Sequence, residues 1–88
     1  MIDLSTYNTN RIELARPLLV ISGSRGFLAC GYINPETCDR TGEACAIVTG
    51  VGSFEDMLSA TVVAVSSGAS ELGVSPGDTG ESALDKFA

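Results

Sequence analysis

The sequence has no histidine, and its five basic residues include a single lysine, Lys86. Each shortage excludes a chemistry. Without histidine, one chain cannot assemble a Ser-His-Asp triad or a Cys-His pair. Zinc sites with imidazole ligands are excluded on the same ground. With Lys86 near the end of the sequence there is no P-loop. The basic residues Arg11, Arg16, Arg25, Arg40 and Lys86 are scattered, and eleven acidic residues oppose them for a formal charge of −6. Nucleic-acid binders cluster Lys and Arg against phosphates, so nucleic acid is not an expected partner. An anionic membrane surface is not expected either. Tyr7 and Tyr32 are too few for a base-stacking platform.

No stretch approaches the roughly 20 continuous apolar residues that span a bilayer. Residues 1–10 are polar and carry Asp3, so they do not read as a signal peptide. A cytoplasmic location is expected. The three cysteines, Cys30, Cys38 and Cys45, are odd in number and lack an export context. They read as reduced thiols rather than a disulfide framework. Their spacings of eight and seven residues do not resemble the C-x-x-C pairs of structural zinc. No metal and no cofactor is expected.

What is present is enough for one small core. The 88 residues read as a single domain, 1–88, with 44% apolar residues. A domain this small leaves much of its surface wet, so a partner subunit would add burial.

Residues 2–6 suggest a short edge strand and residues 8–10 a loop. Residues 12–21 read as the first strong strand, with Pro17 as a bulge or unpaired point because it lacks a donor. The turn Gly23-Ser24-Arg25-Gly26 returns the chain as a hairpin through residues 27–33. Period two places Phe27, Ala29, Gly31 and Ile33 on one face, with Leu28, Cys30 and Tyr32 on the other. Asn34-Pro35 has the form of a helix start, with Gly42 as its stop. A strand over 44–51 follows. Ser53 caps a helix to about residue 59, with Phe54, Met57 and Leu58 on its packing face. A β-branched strand over 61–66 leads to a weak helix ending near Gly73. Asp78 or Thr79 caps a last helix that buries Ala83, Leu84 and Phe87.

This order predicts an α+β fold: a two-layer sandwich with a mixed β-sheet, an N-terminal antiparallel hairpin, and helices on one face. The other sheet face would be left bare, which points to a homo-oligomer.

Three stretches carry a resemblance. They are residues 29–34 (Ala-Cys-Gly-Tyr-Ile-Asn), residues 46–51 with 53–58, and Glu71-Leu72-Gly73-Val74 with Gly77, Gly80, Ala83 and Leu84. Together they resemble the YunC-like family of small bacterial and archaeal domains of unknown function. The resemblance implies a two-layer α/β sandwich from about Arg11 onward and brings no reaction with it. Asn34 stands where the family often has aspartate.

Among individual residues, Cys30 is the candidate nucleophile. It is followed by Gly31, which would let a ligand approach the backbone. A small core side chain is the plainer reading. Reactivity would need a cation or helix N-terminus nearby, with Arg25 or the helix end at Asn34 as the candidates. Gly50-Val51-Gly52 has the form of a dinucleotide turn, but Glu55 replaces the third glycine and would repel a pyrophosphate. The backbone N–H groups at Ser53 and Phe54, after Gly52, and those of the turn at Thr79, are candidate ligand contacts. The candidate ligand set is therefore Cys30, Gly31, Asn34, Gly52, Ser53 and Thr79. The composition favours a self-associating module that takes a small ligand at a subunit interface. The alternative is a cysteine-dependent enzyme using Cys30.

Overall fold

A computed structural model describes residues 3–88. Five strands form one sheet whose spatial order follows the chain: β1 (Asn8–Ile12), β2 (Leu18–Ser22), β3 (Phe27–Ala29), β4 (Cys45–Ile47) and β5 (Ala64–Val65). β1, β2 and β3 are antiparallel neighbours. β3 and β4 are parallel, and β4 and β5 are antiparallel. Four helices complete the chain: α1 (Pro35–Thr41), α2 (Phe54–Ser59), α3 (Ser67–Glu71) and α4 (Gly80–Phe87). The expected α+β sandwich, with a mixed sheet that begins in an antiparallel hairpin, is what the chain forms. Among the described residues no helix is long and apolar enough to cross a membrane.

Alternation along the strands builds two apolar layers. Leu19, Ile21, Leu28, Ala46 and Val48 point to one face. There they meet Met57 of α2, Ala69 of α3, and Ala83, Leu84 and Phe87 of α4. Phe87 and Leu84 are fully buried, and burying a side chain of this size contributes roughly 1.5–3 kcal/mol. The approach of α4 is set by Gly80, where a Cβ would lie 1.9 Å from the carbonyl oxygen of Met57. Only glycine admits that contact.

α1 lies outside this helical layer. Its one buried residue, Cys38, packs with Ala29, Cys45 and Ile47 on the opposite face of the sheet. That face is therefore partly covered rather than bare, and Val20, Phe27, Ile33 and Ala64 remain half-buried there.

The N-terminal third differs from its sequence reading. Leu4–Thr6 is a 3₁₀ turn rather than a strand, and Ile2 lies outside the described residues. Residues 8–10, read as a loop, belong to the exposed edge strand β1. Pairing of Asn8 with Ser22 and Ile12 with Leu18 fixes that strand, and an outer edge tolerates polar side chains on both faces. The single strand expected over 12–21 is two, because residues 13–17 turn between β1 and β2.

Candidate ligand cleft

β3 and β4 run parallel, so both end on the same edge of the sheet. The turn after β3 (Cys30, Gly31, Tyr32) and the turn after β4 (Thr49, Gly50, Val51) stand side by side. β2 is antiparallel to β3, with Val20 opposite Ala29, so the loop entering β2 arrives at the same place with Arg16 and Pro17. These eight residues line a cleft of about 340 Å³. Space outside the carboxyl ends of parallel strands is where open α/β sheets take their ligands. The volume falls near the lower end of the roughly 300–1,000 Å³ range of ligand clefts.

Each wall has a local cause. The backbone N–H of Cys30 donates to the Leu19 carbonyl at 3.1 Å, and the Leu19 N–H donates to Cys30 Sγ at 3.4 Å. Cys30 is only 5% exposed, so it lines the cleft as a core residue whose thiol is held by β2. The Ile33 N–H donates to the Cys30 carbonyl at 3.2 Å and closes the turn. Gly50 has φ of 71°, a left-handed conformation that favours glycine. At Gly31 a Cβ would reach 3.4 Å from Thr49 Cγ2, so the two turns stand within van der Waals reach of each other. The Arg16 N–H donates to the Tyr32 phenolic oxygen at 3.3 Å, joining the third wall to the first.

Electrostatically the cleft opposes the rest of the molecule. The chain carries −6, yet no carboxylate lines the cleft and Arg16 does. Three of the other four basic groups are engaged: Arg11 with Glu13, Arg25 with the Ala88 carbonyl, and Lys86 with Asp78 and the Gly73 carbonyl; Arg40 lies on α1, away from the cleft lining. The Arg16 guanidinium has no ion-pair partner among the described residues.

Of the six sequence-derived candidates, the structure brings Cys30 and Gly31 together in the cleft. The other four serve helix ends. Asn34 Oδ1 accepts from the Glu36 N–H at 2.9 Å, and Thr79 Oγ1 accepts from the Ser82 N–H at 3.1 Å. Ser53 Oγ accepts from the Asp56 N–H at 3.1 Å, while the Gly52 N–H donates back to Asp56 Oδ2 at 3.0 Å. The N-terminus of α2 thus already holds its own carboxylate. Arg25 is not beside Cys30: it precedes β3 while Cys30 follows it, and its backbone N–H donates to the Phe87 carbonyl at 2.8 Å.

Nor do the three thiols converge. Cys30 belongs to the helical layer's core and the other two to the opposite face. Burial, then the adjoining Cys38, pushes the Cys45 thiol up to about 12, which makes it inert. Among the described residues no cluster of three His, Cys, Asp or Glu side chains is arranged to hold a metal ion.

Sequence reasoning missed Arg16, Pro17, Tyr32, Thr49, Gly50 and Val51 as parts of one site. The available signal was Arg16-Pro17 standing directly before the apolar run of residues 18–21. Its meaning depends on which strand end the loop reaches.

No curated protein matches the chain. The crystal structure of a protein of unknown function, TA1206 from Thermoplasma acidophilum, is similar at 36% identity and a TM-score of 0.81, covering 93% of each chain. Residues 29–87 match the family described as "Domain of unknown function (DUF1805)", and this span begins at the last residue of β3 and holds β4, β5, the four helices and two of the three cleft walls. The chain belongs to that family.

Proposed function

We propose that the chain is a small cytoplasmic binding module of the YunC-like type, which self-associates and takes a small ligand in the cleft at the ends of β3 and β4. One observation carries this reading. Three separate segments converge on a single concavity whose only charged residue is an unpaired arginine. Cys30 and Val51 also belong to the core, whereas Arg16, Tyr32, Thr49 and Gly50 are exposed and contribute no core packing.

Self-association is supported by the rim. Ile12 is 54% exposed and Leu14 50%, and both lie on the strand and loop that lead to Arg16. Exposed large apolar side chains close together in sequence, on an edge strand and its loop, favour an interaction surface. A second copy seated there would bury the rim and close the cleft from above.

Native mass spectrometry of the freshly purified protein tests both parts. A discrete oligomer carrying added mass is the expected result. A bare monomer of the calculated mass at micromolar concentration counts against self-association.

The second reading, a cysteine-dependent enzyme, rests on Cys30 lining the same cleft with Arg16. Replacing Cys30 with Ser separates the two. A folded, assembled variant that loses an activity supports chemistry. One that loses only stability supports the thiol as a wall.

A further inference from the structure

We infer that the cleft selects a small monocarboxylate with a flat apolar body; this rests on the ligand-binding reading above. The charge comes first. A guanidinium offers two parallel N–H donors that match a carboxylate, and the pair is charge-assisted. Arg16 is placed for this, since its side chain is exposed, unpaired among the described residues, and at the cleft. No aspartate or glutamate lines the cleft to compete for it.

A dianion such as a phosphate ester fits less well. Such sites recruit several donors or a free helix N-terminus. Here the two helix starts that follow the cleft turns are both satisfied: α1 by its Asn34 cap with Glu36 in the first turn, and α2 by Ser53 and Asp56 with Glu55 beside them. One arginine balances one negative charge, and the cleft lining offers no second cation for another.

The remaining walls set the body of the ligand. Pro17, Val51 and the Cys30 thiol are apolar, and the Tyr32 ring is 48% exposed. A planar group can lie against that ring while Gly31 and Gly50 leave the backbone bare on the facing side. The Thr49 hydroxyl has no hydrogen-bond partner among the described residues and completes the polar complement. The cavity of about 340 Å³ admits an aromatic or short branched acid and is small for a nucleotide.

The test uses benzoate, its neutral isostere benzamide, and phenyl phosphate, titrated into the full-length 15N-labelled protein. Benzoate should shift the amide signals of Gly31, Tyr32, Thr49, Gly50 and Val51, with saturation in the millimolar range typical of fragments, about −4 kcal/mol. Benzamide and phenyl phosphate should bind at least about fivefold more weakly. Arg16→Gln should reduce benzoate to the level of benzamide, with signals outside the cleft unchanged as proof of folding. If benzamide or phenyl phosphate matches benzoate, or Arg16→Gln binds it unaltered, the carboxylate class is overturned and the cleft reading stands. If none of the three moves these amides at about 10 mM, beyond the range of ordinary weak binding, the cleft reading falls and the carboxylate with it.

Discussion

The backbone N–H of Arg16 donates to the phenolic oxygen of Tyr32 at 3.3 Å. One hydrogen bond thus ties the loop before β2 to the turn after β3 and sets the backbone of Arg16 beside Tyr32. The bond is exposed, so Tyr32→Phe should cost less than about 1 kcal/mol of stability. Its effect should appear locally, as faster hydrogen exchange at the Arg16 amide. An unchanged Arg16 exchange rate would mean the loop is held by packing alone.

Cys30 is 5% exposed, and its sulfur accepts from the Leu19 N–H. It should alkylate more slowly than glutathione at neutral pH, as a thiol held in a wall does. Peptide mapping after timed iodoacetamide treatment measures this directly. Faster modification than glutathione would favour the enzyme reading.

Ser66 is buried, and one hydroxyl serves three groups. It accepts from the Cys45 N–H at 2.9 Å and the Ala69 N–H at 3.3 Å, and donates to the Glu43 carbonyl at 2.9 Å. Ser66→Ala strands these partners and should destabilise by about 1–3 kcal/mol. Urea unfolding should show a lower midpoint with an unchanged m-value.

Gly80→Ala places a methyl carbon 1.9 Å from the Met57 carbonyl oxygen. Backbone must move, so a loss of about 1–3 kcal/mol is expected even though alanine is the better helix former. Equal or higher stability would show that α4 can shift away from α2 without cost.

Alkaline pH should weaken the fold through Cys45. Its folded value, about 12, lies above the ordinary 9.0. The contribution is therefore fully present below pH 9 and is lost as pH rises toward 12. Tyr7, also raised by burial and then by Asp85, adds a decline of the same sign. Thermal melts should give a steeper alkaline fall for the native chain than for Cys45→Ala. Matching slopes would place the alkaline sensitivity elsewhere.

Helix boundaries were legible because their signals are local. Asn34-Pro35, Ser53 and Thr79 each cap the helix that the residue types announce, and Gly42 closes α1 with φ of 79°. The two faces of β3 were also legible, since period two separates Leu28 and Cys30 from Phe27 and Ala29. β1 was not, because an edge strand of exposed polar residues has no apolar pattern to read. The cleft was half legible. Cys30-Gly31 stood out by residue type, whereas Arg16 and Thr49 become neighbours only once the parallel pairing of β3 and β4 is known. Arg25 was misplaced for the same reason: nearness in sequence put it beside Cys30, and the extended length of β3 carries it to the far end.

Because the sheet's order repeats the order of the chain, no strand waits for a partner made much later. β1, β2 and β3 can zip together through short turns before anything distant arrives. Two longer closures remain, β3 to β4 across residues 30–44 with α1 and β4 to β5 across residues 48–63 with α2. The first of these joints also creates the cleft. A slow step of folding should therefore be the same step that makes the molecule able to bind.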